Sequence, residues 1–339
     1  MRRGDTLLFE QPPVVGAWAA AGGKKESEGP LASAFDFVTQ DAAFGEQGCE
    51  NWEQAESLLQ RKAVELCLRK ADIPRSKVDI AFAGDLQAQC TASNYTMREL
   101  GIPFAGVYGA CSTMAETLGL AAVFAAGGMA ERVLALTSSH FCAAERQFRT
   151  PLEYGAKRTP TAQWTATAAG CCILGVQSEG PYITHATRGQ IVDMGVTDMT
   201  NMGAAMAPAA FDTLRAVFRD TGTTPKDYDL IVTGDLGAVG SDILTELFRR
   251  EGTALDNYTD CGLLLYDRKK QDMHAGGSGC GCSAAVLNGY LLEGMRQGRW
   301  RRLLFAPTGA LLSPTSSFQG ESIPGICHAV VFSRTKEDA

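Results

Sequence analysis

An internal repeat is the feature of this 339-residue chain that most restricts its fold. The stretch VDIAFAGDLQA at 78–88 matches YDLIVTGDLGA at 228–238, and each copy follows an amphipathic helical pattern and a short turn that contains proline. A second pair of segments begins at Gly109 and Gly279, and both read small-residue turn, long apolar helix, glycine, basic residue and apolar strand. Two repeated segments in the same order predict an internal duplication of an α/β unit.

Helical and strand patterns alternate in each copy, which predicts parallel sheets with right-handed connections. In the first copy, apolar residues at helical spacing follow Asn51, a good N-cap residue, and stop before Pro74. The continuous apolar run at 78–84 is typical of a strand that is buried on both faces. We therefore predict an α/β fold of two duplicated halves, residues 1–178 and 179–339, with ligands bound where the strand ends of the halves meet.

Composition and charge exclude several classes of protein. Hydrophobic residues make up 45% of the chain and charged residues 20%, the balance of an ordinary globular protein. The net charge of -7 argues against electrostatic binding to nucleic acid or to anionic lipid. The longest uncharged apolar run, 117–130, is too short to span a membrane, and the N-terminus lacks the apolar core of a signal peptide. The sequence therefore predicts a cytoplasmic protein without a nucleic-acid partner.

The eleven cysteines, an odd number, lie in apolar or glycine-rich settings. Without a secretion signal, free thiols are expected rather than disulfides. Cys280 and Cys282 are spaced C-x-C, and no second pair stands at a zinc-ligand distance. We therefore predict neither a metal nor a cofactor.

Longer stretches carry a resemblance to a known family. The cysteine of ACS at a strand-to-helix junction, together with a glycine- and serine-rich turn in the second half, resembles the thiolase and ketoacyl-synthase superfamily. Within it, the chain resembles the stage V sporulation protein AD family of spore-forming bacteria from about residue 8 to residue 332. The stretches that carry this resemblance are FAGDLQAQCTASNY, IPFAGVYGACSTMAETL, LTSSHFCAAERQFRTPLEYG, GVTDMTNMGAAMAPAA, YDLIVTGDLGAVGS, DCGLLLYD, AGGSGCGCSA and TGALLSPTSSFQGESIPGICHAVVF.

The resemblance implies a fold, a ligand and partners. The fold is the five-layered αβαβα arrangement of thiolases, with a homodimer formed through the sheet edge of the first half. The ligand is dipicolinic acid (pyridine-2,6-dicarboxylate) on its way into the developing spore, and whether calcium accompanies it is left open. The implied partners are integral-membrane sporulation proteins of the same operon, which hold the chain peripherally at the inner membrane of the spore.

Cys111 is the centre of the predicted site. It precedes a long helical pattern, and free N–H groups with the positive end of the helix dipole favour negative charge at such a position. The same field lowers the pKa of a thiol, so Cys111 is either a nucleophile or part of a cradle for a carboxylate. Glu116 is the only charged residue between Gly109 and Ala130, and it serves either the pocket or the helix dipole.

Other candidates follow strands or interrupt apolar runs. His140 ends the apolar strand VLALTSSH, at the end that faces ligands in such folds. Arg149 is our candidate to bind a carboxylate through its guanidinium group, and Glu145 belongs to the same charged cluster. A lone histidine in an apolar run, such as His328, is more often a core residue, but the resemblance places His328 in the pocket.

The two aspartates of the repeat receive different interpretations. Asp85 is expected on the same face as Cys111, whereas Asp235 is expected to cap the turn after its strand. Asn94 either caps a helix or faces the pocket. The predicted ligand-binding residues are therefore Cys111, Glu116, His140, Glu145, Arg149, His328, Asn94 and Asp85, with no catalytic residue and no metal ligand.

The chemistry of thiolases is in doubt for this chain. A Claisen-type acyl transfer needs a base for the thiol and donors for the developing oxyanion. Thiolases place a histidine in a Gly-His-Pro turn, but the matching turn here, GGSGCGCS, contains neither histidine nor asparagine. We therefore favour a binding protein on an enzyme scaffold. The alternative is a cysteine-dependent acyltransferase that uses Cys111 with His140 or His328, and a third class is a structural subunit whose pocket has lost its function.

Overall fold

The fold is given by a computed structural model, which describes residues 1–41, 48–148, 157–175 and 179–336. The strands are β1 (Arg2–Arg3), β2 (Thr6–Leu8), β3 (Val15–Gly22), β4 (Phe37–Val38), β5 (Ile80–Gly84), β6 (Phe104–Gly106), β7 (Val133–Ser139), β8 (Trp164–Thr165), β9 (Ala168–Leu174), β10 (Tyr182–Thr187), β11 (Leu230–Thr233), β12 (Tyr258–Asp260), β13 (Gly277–Ser278), β14 (Arg302–Ala306), β15 (Thr308–Ala310), β16 (Gly325–Cys327) and β17 (Ala329–Ser333). The α-helices are α1 (Lys24–Ser27), α2 (Trp52–Ala71), α3 (Thr91–Leu100), α4 (Thr113–Ala126), α5 (Phe141–Phe148), α6 (Met202–Thr221), α7 (Gly237–Arg250), α8 (Cys261–Leu265), α9 (Cys280–Val286), α10 (Leu292–Arg296) and α11 (Pro314–Phe318).

Two large sheets carry the same strand arrangement, which confirms the duplication. The first sheet has the order β4-β3-β9-β7-β5-β6, and the second has the order β1-β2-β10-β17-β14-β11-β12. In the first, β7, β5 and β6 run parallel and β9 lies antiparallel to β7; in the second, β14, β11 and β12 run parallel and β17 lies antiparallel to β14. The N-terminal strand β2 pairs with β10 of the second sheet. The division into residues 1–178 and 179–339 stays a prediction.

Five layers, αβαβα, follow from how the helices pack on these sheets. Helices α2 and α3 cover the outer face of the first sheet, α4 and α9 lie between the sheets, and α6 and α7 cover the outer face of the second sheet. The central core contains side chains from both sheets as well as from α4 and α9. Since successive side chains of a strand point to opposite faces, β7 sends Val133 and Ala135 into the central core and Leu134 and Leu136 into the outer core. This confirms strands that are buried on both faces.

Helix α2 begins and ends where the sequence predicts. Asn51 is its N-cap, and its side chain accepts a hydrogen bond from Gln54 N over 2.9 Å. The predicted apolar positions are buried except for the half-buried Leu66, but the polar residues Glu56, Ser57 and Gln60 are buried as well. The helix therefore carries a buried polar stripe that apolar spacing does not indicate.

Two glycines let α9 lie directly on strand β9. A Cβ atom at Gly170 would lie 2.3 Å from the carbonyl oxygen of Ala284, and one at Gly281 would lie 2.3 Å from the carbonyl oxygen of Ala168. Only residues without a side chain permit backbones to approach this closely. This contact fixes the turn before α9 against the first half, and that turn forms one wall of the site described next.

Candidate functional site

Cys111 lies in a tight turn between β6 and α4, where the two halves meet. The residue before it, Ala110, has a φ of +50°, a left-handed conformation that is costly for a residue with a Cβ atom. Ser112 Oγ donates to the carbonyl oxygen of Gly109 over 2.7 Å and steadies the turn. Strand β15 of the second half passes so close that a Cβ atom at Gly309 would lie 2.3 Å from the same carbonyl oxygen. The turn presents Cys111 to the second half and leaves it 6% exposed.

A cavity of about 30 Å³ borders the Cys111 side chain. This volume has room for about two water molecules. The walls are mostly apolar, with two aromatic side chains, hydroxyl groups and one carboxylate. The lining residues come from both halves and are Leu86, Tyr108, Ala110, Cys111, Ala144, Glu145, Phe148, Thr165, Met202, Ser278, Ala310 and Leu312. The two halves therefore converge on a pocket next to Cys111, although this pocket is small.

Asp235 is the acid that faces Cys111. It follows β11 and is fully buried. Its Oδ2 accepts hydrogen bonds from Ser278 Oγ and Gly279 N, both over 3.0 Å, and its Oδ1 accepts one from Thr308 Oγ1 over 2.9 Å. Cys111 Sγ lies 4.0 Å from Ser278 Oγ, and the negative charge of Asp235 acts on this thiol. A carboxylate and a thiol in one buried cluster of neutral donors therefore form the centre of the site.

The expectation that Asp235 caps the turn after its own strand is wrong. Asp260 at the end of β12 has that role, because its carboxylate accepts hydrogen bonds from the N–H groups of Leu236 and Gly237 over 2.9 and 3.0 Å. Asp235 instead turns toward Ser278 and Thr308, which lie far from it in sequence. Its role is set by tertiary contacts, which the local GDL sequence does not reveal.

The Cys111 thiol is harder to ionise than a free cysteine. Burial raises the pKa of Cys111 well above its ordinary value, and the negative charge of Asp235 acts in the same direction. The hydrogen bonds with Ser278 and Gly279 lower this pKa, but by less. The expectation that the start of the helix lowers the pKa of this thiol is therefore wrong, because desolvation outweighs the field of α4, which begins only at Thr113. At neutral pH, Cys111 is a neutral thiol.

Of the other predicted residues in the described part of the chain, Glu145 is the one that also lines the cavity. It lies on α5 and is buried, and its Oε1 accepts a hydrogen bond from Thr165 Oγ1 over 2.8 Å. Arg149, the predicted partner of a ligand carboxylate, lies outside the described residues. The roles of both in binding stay predictions.

Neither predicted histidine is among the lining residues. His140 is buried where β7 ends and α5 begins. His328 lies between β16 and β17, and its Nδ1 accepts a hydrogen bond from Gly189 N over 3.1 Å. Burial lowers the pKa of His328 to about 4, so its ring is neutral at neutral pH. Within the described ranges, the walls around the Cys111 thiol thus contain no imidazole.

Asp85 belongs to a separate buried network. Its Oδ1 accepts from Gln87 N over 2.9 Å and its Oδ2 from Ser93 Oγ over 2.7 Å. Gln87 Nε2 in turn donates to Glu56 Oε2 over 2.6 Å, which connects the two acids. Asn94 lies on the exposed side of α3, and its Nδ2 donates to the carbonyl oxygen of Gln89 over 2.6 Å. Neither Asp85 nor Asn94 lines the cavity.

Glu116 lies in the first turn of α4, beside the turn that holds Cys111. Burial raises its pKa, and its Oε2 is buried without a hydrogen-bond partner in the described part of the chain. A Cβ atom at Gly109 would lie 2.9 Å from this oxygen. Glu116 therefore lies against the turn that holds Cys111, but it is not among the residues that line the cavity.

The residues that sequence reasoning missed are Asp235, Ser278 and Thr308. Two signals were available, because Asp235 is the repeat counterpart of Asp85 and Ser278 is a polar residue of the GGSGCGCS turn. Thr308 carries no signal in the sequence. As for metals, no group of three or more His, Cys, Asp or Glu side chains that could hold an ion occurs in the parts of the chain described above.

The sequence is similar to that of known sporulation proteins. The family model of stage V sporulation protein AD matches residues 3–333. The stage V sporulation protein AD of Bacillus subtilis (strain 168) is 44% identical over 333 residues, which cover 97% of each chain.

The fold is similar to that of solved enzymes at much lower identity. The 3-oxoacyl-[acyl-carrier-protein] synthase III of Aquifex aeolicus VF5 is 12% identical with a TM-score of 0.59, and the match covers 95% of this chain and 99% of that one. The cerulenin-bound OleA of Xanthomonas campestris is 14% identical with a TM-score of 0.62, over 98% and 99% of the two chains. These similarities establish a thiolase-like α/β fold, and at such identities they establish the fold alone.

Proposed function

Because the chain belongs to the stage V sporulation protein AD family, we propose that it is a non-enzymatic dipicolinate-binding protein of the machinery that moves dipicolinate into the forespore. The observation that carries this proposal is the cavity at Cys111, whose described walls are mostly apolar, with two aromatic rings and a few polar groups but no imidazole. Such walls suit a bound ligand, whereas acyl transfer needs a base beside the thiol.

The chemistry of the walls suits a flat aromatic acid. Tyr108 and Phe148 line the cavity and offer ring surfaces to a pyridine ring. Ser278 Oγ and Cys111 Sγ, which lie 4.0 Å apart, add polar atoms to the same lining. Arg149, which follows Phe148 in the chain, remains our proposed contact for a ligand carboxylate.

The cavity between the described walls is smaller than dipicolinate. About 30 Å³ holds water but not an aromatic ring with two carboxylates. Met202 and Leu312 line the cavity, and a methionine side chain adapts easily because it is unbranched and has three rotatable bonds. Binding therefore includes a widening of the cavity, in which Met202 and Leu312 take part.

The alternative function is a cysteine-dependent acyltransferase on the same scaffold. The similarity to the two solved enzymes supports it only through the fold. Against it stands the raised pKa of the Cys111 thiol, because the thiolate is the nucleophile in such reactions. The neutral ring of His328 is already engaged with Gly189.

Titration calorimetry with dipicolinate tests the proposal. We expect saturable binding, weakened between three- and tenfold by about one lost hydrogen bond in Cys111→Ala. The control is Cys49→Ala, because Cys49 lies outside the lining and its loss should leave the dissociation constant unchanged. The titrations should be run with and without calcium. No heat of binding at millimolar dipicolinate would contradict the proposed function.

We also propose that two copies pair through β6 and that the pair docks on membrane-embedded sporulation proteins at the spore inner membrane. Strand β6 is an edge of the first sheet, and an edge strand presents unpaired N–H and C=O groups. Among the described helices, none is long and apolar enough to cross a membrane. Sedimentation equilibrium should give twice the chain mass, and a monomer would contradict the pairing. Pull-down with the membrane proteins of the operon should retain the chain, and an empty pull-down would contradict the docking.

A further inference from the structure

The two aliphatic hydroxyl groups of the Cys111 cavity, those of Ser278 and Thr165, donate to buried carboxylates. Ser278 Oγ donates to Asp235 Oδ2 over 3.0 Å, and Thr165 Oγ1 donates to Glu145 Oε1 over 2.8 Å. A hydroxyl group has one hydrogen, so neither group can donate to a ligand at the same time. Cys111 Sγ lies 4.0 Å from Ser278 Oγ. With both acids ionised, the hydroxyl groups of Ser278 and Thr165 turn only lone pairs toward the cavity, which is the wrong polarity for a carboxylate ligand.

A proton on Asp235 reverses this polarity. The protonated carboxyl group donates from Oδ2 to Ser278 Oγ, and the hydroxyl hydrogen of Ser278 is then free to turn into the cavity. Thr308 Oγ1 and Gly279 N keep donating to the remaining lone pairs of Asp235, so no buried donor loses its partner. The proton comes from solvent and stays on the carboxyl group while the ligand is bound.

We propose that Asp235 acts as a proton switch for this cavity. Its protonation turns the Ser278 hydroxyl group from an acceptor into a donor toward the ligand, so that an anionic ligand enters together with about one proton. The proposal rests on the proposed function, because it takes dipicolinate as the anion. It adds a regulation of the same site: low pH favours loading and high pH favours release.

The surroundings of Asp235 support the uptake of a proton. Its hydrogen-bond partners in the described part of the chain are neutral, and burial raises its pKa. The second acid near it is Asp260, whose pKa is raised to about 6, mainly by burial. Asp260 accepts hydrogen bonds from backbone N–H groups and from Thr233 Oγ1, so its own protonation leaves the orientation of Ser278 unchanged. The other titratable groups that face Asp235 are the thiols of Cys111, Cys261, Cys280, Cys282 and Cys327.

Calorimetric titration with dipicolinate between pH 6 and pH 8.5, in two buffers with different ionisation enthalpies, measures the proton uptake. Dipicolinate is fully ionised over this range, so the protein must supply the site of protonation. For the wild-type chain we expect uptake that approaches one proton per ligand and an affinity that falls about tenfold per pH unit above the pKa of Asp235. In Asp235→Asn, the side chain cannot take up a proton, because an amide does not ionise in this range. This variant should take up no proton, and its affinity should not change with pH.

Ser278→Ala provides a second test of the switch if Asp235→Asn fails to fold. It removes the switched donor, so binding should be weak and should not change with pH. Glu56→Gln is the control, because it replaces a buried acid outside the cavity and should leave the wild-type proton uptake unchanged. Wild-type binding without proton uptake, or wild-type uptake in Asp235→Asn or Ser278→Ala, would overturn the switch while the proposed function stands. Absence of any binding by the wild-type chain would overturn both.

Discussion

Glu56→Gln is expected to raise the free energy of unfolding at pH 8 by roughly 2–4 kcal/mol and to flatten its dependence on pH. Glu56 is fully buried under α2, where Ser138 Oγ donates to its Oε1 over 2.9 Å and Gln87 Nε2 to its Oε2 over 2.6 Å. Burial and the nearby charge of Asp85 raise the pKa of Glu56 to about 8. A protonated carboxyl group accepts one hydrogen bond and donates another, and the amide of glutamine does the same.

The sign of the effect follows from proton linkage. In the unfolded chain the Glu56 carboxyl gives up its proton near pH 4.5, whereas in the folded chain it keeps the proton up to about pH 8. The folded state therefore binds more protons between these values, and its stability falls as the pH rises through this window. Glutamine has no proton to lose, so the variant escapes this loss.

Urea unfolding at pH 5, 6.5 and 8 measures the difference. Glu65→Gln is the matched control, because it is the same change on the same helix but at a half-exposed position, and it should alter stability by no more than about 0.5 kcal/mol. Equal slopes of stability against pH in wild type and Glu56→Gln would show that Glu56 is ionised in the folded chain, contrary to this expectation.

Helix α2 also shows which features of the fold the sequence predicts and which it does not. Apolar spacing and Asn51 gave the bounds of α2 because a cap and a hydrophobic face are local properties. The buried stripe of Glu56, Ser57 and Gln60 was missed because its partners come from elsewhere: Gln60 Nε2 donates to Ser93 Oγ and Ser138 Oγ over 3.1 and 3.2 Å. Nothing in the local pattern of α2 indicates those residues.

The candidate site, like α2, could be predicted from the sequence only in part. Cys111 was predicted because a strand-to-helix junction is visible in the sequence. Asp85 and Asp235 share the local sequence GDL, yet the first accepts from nearby Ser93 and the second from Ser278 across the fold. The local sequence therefore does not distinguish the hydrogen-bond partners of the two aspartates. Only the packing of the two halves decides which aspartate reaches the thiol.

The Cys111 thiol is expected to react with iodoacetamide at pH 7.5 at least about tenfold more slowly than the half-exposed Cys49 and Cys142. Burial limits access of the reagent, and the raised pKa of Cys111 leaves little thiolate. Asp235→Asn should accelerate the alkylation of Cys111, because it removes the negative charge that opposes ionisation of the thiol, while the rates at Cys49 and Cys142 serve as internal controls. Peptide mass spectrometry reads all three sites in one sample.

Acetyl-CoA tests the same thiol as a nucleophile and separates the two functions. Acyl transfer would begin with attack of the Cys111 thiolate on the thioester, which forms the S-acyl bond and expels the thiolate of coenzyme A. A neutral thiol beside the Asp235 carboxylate, with no imidazole in the described walls, has no group poised to start this step. We therefore expect no acyl adduct on Cys111 in the wild-type chain, even after long incubation. A stable adduct there, together with fast alkylation, would favour the acyltransferase, because both results require a thiolate that the geometry around Asp235 disfavours.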